Sequence, residues 1–117
     1  LGYHSIYLNY LELSRTEHLR EQGISVAEMA ANGAVFPVVR MEIDFKATAR
    51  HDDLLEVATV PIKVGGSSFT LRQQVLRCSD NYLLVQAEVT LACVSPSLKA
   101  RRIPTELRDL LAKGVVA

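Results

Sequence analysis

The stretch Ile6-Tyr7-Leu8-Asn9-Tyr10-Leu11-Glu12-Leu13-Ser14-Arg15-Thr16-Glu17-His18-Leu19-Arg20-Glu21-Gln22 decides how this chain folds. Tyr7, Leu8 and Leu11 share one side at helical spacing, Tyr10 and Leu13 widen that side, and Asn9, Thr16 and Arg20 gather opposite. The pattern predicts a helix from about Ile6 to Gln22, stopped by Gly23. Its apolar arc is wider than a surface helix needs, so we expect it to be covered on several sides.

What can cover it lies downstream. Ser25 followed by Glu28 forms a capping box for a short helix through Ala31, and Asn32-Gly33 supplies left-handed residues to end it. Val39, Met41, Ile43, Phe45 and Ala47 then alternate with Arg40, Glu42, Asp44 and Lys46, the period of a strand with one buried face. After a polar turn at His51-Asp52-Asp53, Leu54 to Val64 reads as a strand in which Pro61 marks an edge, a bulge or the end. Gly65-Gly66-Ser67-Ser68 reads as a hairpin leading into a strand from Phe69 to Cys78. Asp80-Asn81 turns again, and Leu83, Val85, Ala87, Val89, Leu91 and Cys93 provide successive inward positions. A short strand is expected at Ala100 to Ile103, and a closing helix from Pro104 to Lys113. These turns are too short for parallel crossovers, so the sheet is expected to be antiparallel and the class α+β. A sheet curled around the first helix buries both apolar faces at once.

Composition narrows the functional classes. The chain has 117 residues, of which 49% are apolar, enough for one domain spanning residues 1–117 with a core of its own. Lys and Arg total 13 and Asp and Glu total 13, so no net field draws the protein to nucleic acid or an acidic membrane, and an anionic ligand has to be caught locally. No apolar run approaches the ~20 residues that span a bilayer, and the first residues do not resemble a signal peptide, so we expect a cytoplasmic protein without membrane insertion. Cys78 and Cys93 have neither metal-ligand nor redox spacing and are expected to be buried free thiols. The chain opens at Leu1 directly before a helical pattern, and we expect an amino-terminal strand upstream of it.

The residues Tyr3-His4-Ser5-Ile6-Tyr7-Leu8 and Glu12-Leu13-Ser14-Arg15-Thr16-Glu17, running on to Gly23, resemble the helix signature of the YbgC-type (4-hydroxybenzoyl-CoA thioesterase-like) acyl-CoA thioesterases. There a Tyr-His pair precedes the helix and is followed by a tyrosine and a Glu-x-x-Arg pair. Val38-Val39, Ala49-Arg50-His51-Asp52-Asp53-Leu54-Leu55-Glu56, Gly66-Ser67-Ser68, Ala87-Glu88-Val89 and Arg102-Ile103-Pro104 continue the likeness in order, over essentially the whole chain. The resemblance implies a hotdog fold, in which an antiparallel sheet wraps a long central helix. It also implies a homodimer or homotetramer, and hydrolysis of a thioester on coenzyme A or an acyl carrier protein. No separate cofactor is implied, since coenzyme A is part of the substrate. The family's catalytic aspartate lies several residues before the Tyr-His pair, in a loop after a first strand, and no residue of this sequence matches it.

Thioester hydrolysis needs a carboxylate to activate water or attack the carbonyl, and a donor where negative charge develops on oxygen. The resemblance assigns that donor to the backbone N–H of His4; alternatively His4 merely starts the helix. Glu12 and Arg15 share a helix face, either as a catalytic carboxylate and its tuner or as an ion pair tying helix to sheet. Tyr3, Tyr7 and Tyr10 line an acyl or pantetheine tunnel or belong to the core. Ser67 and Ser68 donate to pantetheine or simply form a hairpin. Lys99, Arg101 and Arg102 hold a nucleotide phosphate or form a solvated charge run. His51-Asp52-Asp53 reads as a turn and His18 as a surface or packed residue, and no metal site is expected. The alternative to an enzyme is a non-catalytic hotdog module that binds an acyl carrier or a partner protein.

Overall fold

A computed structural model describes residues 3–115, with side chains from Ile6 onward. The chain runs α1 (Tyr3–Glu21), α2 (Val26–Ala31), β1 (Val38–Phe45), β2 (Leu55–Val64), β3 (Ser68–Arg77), β4 (Tyr82–Ala92) and α3 (Thr105–Gly114). The strands form one antiparallel sheet in the order β1-β4-β3-β2, as the short turns require. The α+β class is as expected.

Each element follows from local chemistry. The Ser25 hydroxyl accepts from the Glu28 N–H at 3.1 Å, which caps α2. Only Gly33 of the expected left-handed pair has positive φ (87°), while Asn32 stays at −92°, because glycine alone adopts that region without a steric penalty. The β2–β3 hairpin closes through a Gly65 N–H bond to the Ser68 carbonyl at 2.8 Å. Pro61 sits on an edge strand, beside a shift of register between Pro61 and Lys63. Residues Ala100 to Ile103 form a single bridge, Val94 to Ala100, and not the expected strand. That segment turns instead to seat Ile103 in the core and to start α3 after Pro104, which stands just outside the helix as its cap.

The core lies between the sheet and its helices. From β3 come Phe69, Leu71, Gln73 and Val75, and from β4 Leu84, Val85, Ala87, Val89 and Leu91, with Cys93 beyond. The inward row of β4 departs from strict alternation at one point. A register shift between Val75 and Leu76 places an extra residue in β4, so Leu84 is fully buried where Leu83 was expected. On β1, Met41 and Ile43 pack against the core, but Val39 is 60% and Phe45 36% exposed, because this strand has a neighbour on one side only.

α1 begins three residues earlier than the apolar pattern suggested, so the backbone of Tyr3 and His4 lies within its first turn. Tyr7, Leu11, Arg15 and Leu19 form its buried stripe, one turn apart. Within this chain the helix is therefore covered along one face and not on several sides: Ile6 (68%), Leu8 and Leu13 (61%) face outward. The sheet is reached from α1 at β1 by Tyr7, at β2 by Tyr10 and at β3 by Arg15.

These facings predict opposite outcomes for two charge substitutions. Leu91→Asp places an unpaired carboxylate in the core and should cost about 4 kcal/mol or more, enough to unfold the chain or leave it insoluble. Lys46→Asp changes an exposed side chain and should stay within roughly 0.5 kcal/mol. Thermal melts of the two variants check this, and similar midpoints would overturn the assignment of faces.

Candidate active site

The amino-terminal half of α1 runs past the loop that follows β1. Tyr7 is 4% exposed and sets its ring 6.0 Å from that of Phe45, tilted by 57°. Tyr10 is half-buried, and its hydroxyl donates to the Leu55 carbonyl at 3.1 Å. Both tyrosines thus belong to the core, and both also border a cavity of about 360 Å³ shared with Ile6, Arg50, His51 and Asp53. This cavity combines aromatic and apolar walls with a polar rim of Arg50, His51 and Asp53, a suitable lining for an apolar chain carrying a polar end.

The loop wall of this cavity is built by hydrogen bonds. The Asp53 carboxylate accepts from the Arg50 N–H at 2.7 Å and from Arg77 Nε at 3.0 Å, while Arg77 Nη1 reaches Asp80 at 3.0 Å. The Arg50 N–H bond, followed by the Arg77 guanidinium, holds the Asp53 carboxyl below its ordinary range. His51-Asp52-Asp53 is accordingly a turn, and among the described residues no group of three His, Cys, Asp or Glu side chains is placed to hold a metal.

The structure separates most of the residues that the sequence nominated. The side chains of Tyr3 and His4 lie outside the described residues; their backbone opens α1. Glu12 is exposed on α1 and borders a different cavity, of about 260 Å³, walled by Arg15, Leu19, Phe36, Leu71 and Leu91. Among the described residues no ion pair joins Glu12 to Arg15, and Arg15 Nη1 instead donates to Gln73 Oε1 at 2.9 Å. Burial lowers the Arg15 pKa, opposed by the field of Glu12.

The remaining candidates are further apart. Ser67 and Ser68 use their carbonyls to accept from Cys93 and Gly65, and Ser68 borders a third cavity with Arg40, Glu42, Thr70, Glu88 and Thr90. Those polar side chains alternate with the buried ones of the same strands and so face away from α1. Lys99 is exposed, and Arg101 Nη1 makes a long contact of 3.4 Å to the Asn32 carbonyl. Cys93 is buried as expected, but Cys78 is exposed, because β3 ends one residue before it. No helix among the described residues is long and apolar enough to cross a membrane.

Two features escaped the sequence reading. Arg50, His51 and Asp53 meet Tyr7 and Tyr10 only through the fold. Gln73 carries a signal in the sequence, a polar residue in phase with the apolar Phe69, Leu71 and Val75.

Comparison with known proteins is unambiguous as to family. Residues 3–90 match the model of the thioesterase superfamily. The chain is 35% identical over 106 residues to the acyl-CoA thioester hydrolase YbgC of Escherichia coli O6:H1, covering 90% of this chain and 78% of that protein. It is 32% identical over 108 residues to the acyl-CoA thioesterase YbgC of Haemophilus influenzae, covering 91% and 78%. The crystal structure of a probable thioesterase from Bartonella henselae superposes with a TM-score of 0.79 at 33% identity, over 89% of this chain and 86% of that one.

The Asp53 bonds generate a pH dependence. A carboxyl with a lowered folded-state pKa stabilises the fold above its unfolded pKa, and that contribution is lost as pH falls through the folded value. Asp53→Asn should therefore melt below the parent at pH 7, and the gap should close below about pH 4, the ordinary aspartate range. Melts at both pH values measure this, and a gap of equal size under acid would exclude the carboxylate charge as its source.

Proposed function

Since the chain belongs to the thioesterase superfamily, in its YbgC-type hotdog branch, we propose that it hydrolyses an acyl-CoA or acyl-carrier-protein thioester to the free acid and the thiol. The observation that carries this reading is the placement of the first turn of α1, with Tyr7 and Tyr10 just behind it, beside the 360 Å³ cavity. The opening N–H groups of a helix have no partner within it and stand at the positive end of its dipole. The His4 N–H is one of these groups, and a donor so placed stabilises the oxyanion of the transition state by roughly 3 kcal/mol.

The base we assign is an aspartate in a segment preceding Leu1 in the natural protein, together with the first strand that the family resemblance implies. Its carboxylate takes a proton from water, the resulting hydroxide adds to the thioester carbonyl, and the proton passes to the departing thiolate. Glu12 is the other candidate; its exposed position beside a separate cavity supports the aspartate instead. Tyr7 we assign to the acyl or pantetheine wall, and Tyr3 we propose for the same role. The phosphates of coenzyme A fall to Lys99 and Arg101, and Ser67 and Ser68 to the pantetheine arm, although none of the four borders the tyrosine cavity.

A homodimer at least is part of this reading. The outer edge of β1 exposes Val39 and Phe45, and α1 exposes Ile6, Leu8 and Leu13, apolar surface that a second copy would cover. We place the protein in the cytoplasm, where free thiols such as Cys78 and Cys93 persist.

A panel of short, long and aromatic acyl-CoA esters tests the activity on the natural full-length protein. With each variant confirmed folded, replacing the upstream aspartate by asparagine should slow turnover by at least about 100-fold, the scale of a lost general base, while Glu12→Gln stays within a few-fold. The reverse ranking would move the base onto α1, and no hydrolysis of any ester would favour the non-catalytic carrier-binding module. Light scattering at micromolar concentration should give at least twice the monomer mass; a single-copy mass would remove the dimer.

A further inference from the structure

Among the described residues Gln73 is the one uncharged side chain grouped with the buried polar ones, with no exposed surface, in a row that is otherwise apolar. Its amide is used at both ends. Oε1 accepts from Arg15 Nη1 at 2.9 Å, and Nε2 donates to the Leu11 carbonyl at 3.0 Å and to Thr59 Oγ1 at 3.1 Å. Leu11 and Arg15 stand one turn apart on the buried stripe of α1, and Thr59 lies on β2. One side chain of β3 therefore holds two consecutive turns of the helix and the neighbouring strand.

A leucine at this position, with an apolar residue in place of Arg15, would bury apolar area without the cost of enclosing an amide and a guanidinium. What the amide adds is geometry. Apolar packing tolerates a helix sliding or rotating by a fraction of an ångström, whereas hydrogen bonds weaken steeply with distance and angle. Leu11 is inside the helix, so its carbonyl already belongs to the backbone ladder, and the bond from Gln73 fixes that carbonyl in space. From Leu11 to His4 the helix rises about 10 Å as a stiff rod, so a displacement at the clamp is carried to the first turn.

We propose that Gln73 is a positioning residue for thioester hydrolysis: by gripping Leu11 and Arg15 it sets the height and rotation of α1, and so places the His4 N–H against the developing oxyanion. The role rests on the thioesterase reading above. Gln73 touches no reacting atom. Its effect falls on kcat more than on KM, because the oxyanion contact is made only in the transition state, whereas the apolar wall that Tyr7 contributes from the same helix tolerates a small displacement.

The test separates positioning from stability. Gln73→Met alone strands the buried Arg15 guanidinium and should lower the melting temperature together with kcat. Adding Arg15→Met removes the stranded charge, so the double variant should melt near the parent, since replacing both partners of a buried bond by apolar groups is close to neutral. Its kcat should nevertheless remain about 10- to 100-fold down, as expected for misplacement on the ångström scale, with KM within about threefold. Thr59→Val, which leaves both bonds to α1, should keep parental kcat. All four proteins are assayed full-length below their melting temperatures. Recovery of full kcat in the double variant would overturn the proposal, as would an equal loss in Thr59→Val. A parent that hydrolyses no thioester sinks the thioesterase reading itself, an outcome distinct from an active parent whose double variant retains kcat.

Discussion

The seating of α1 on the sheet is the constraint on which the rest of this molecule depends. Its buried stripe is Tyr7, Leu11, Arg15 and Leu19, and three of these four are what an amphipathic helix would offer to any apolar surface. The fourth is a cation, met by the only neutral polar side chain buried in the facing strand. Apolar burial holds the helix down, at about 25 cal/mol for each Å² removed from water, but has little preference for where along its axis the helix rests. The amide of Gln73 supplies that preference. The amino end of α1, where unpaired N–H groups gather, is therefore placed by contacts made two turns away.

The same geometry explains why the candidate residues disperse. A strand sends neighbouring side chains to opposite faces, so Ser68, Thr70 and Arg72 share the outer surface while Phe69, Leu71 and Gln73 look toward α1. A helix distributes its residues around a cylinder, and Glu12, next after the buried Leu11, is turned out toward a different cavity from Tyr7 and Tyr10. Residue types suited to thioester chemistry thus occur in three separate places. The cavity at the tyrosines is the one we propose as the site, because the amino-terminal half of α1 borders it.

Electrostatics follow burial. Around Asp53, two arginines and a backbone N–H stabilise the charged carboxylate and tie the loop after β1 to the far end of β3. Around Arg15, burial disfavours the charge, and a neutral amide and the nearby field of Glu12 offset part of that cost. The first arrangement builds a wall of the candidate site, and the second fixes the helix that opens it.

Except for the short strand expected at Ala100 to Ile103, the order and type of the elements were legible in the sequence because they rest on local periods. Alternation from Val39 to Ala47 requires a strand, Ser25 with Glu28 requires a helix start, and the turn at Gly65-Gly66 requires a hairpin, whatever lies beyond them. The family was legible because the order of Tyr3-His4, Tyr7, Glu12 and Arg15 is itself a sequence property. Tertiary structure alone decided which face of α1 is covered, that Leu84 and not Leu83 points inward, that Arg15 bonds to Gln73 and not to Glu12, and that Arg50 and Asp53 wall a cavity with tyrosines some forty residues earlier. The physical reason is common to all four. Periodicity specifies a direction relative to the chain's own axis, whereas partners, bulges and cavities depend on how separate axes are set against one another, and that is determined by contacts between residues far apart in sequence.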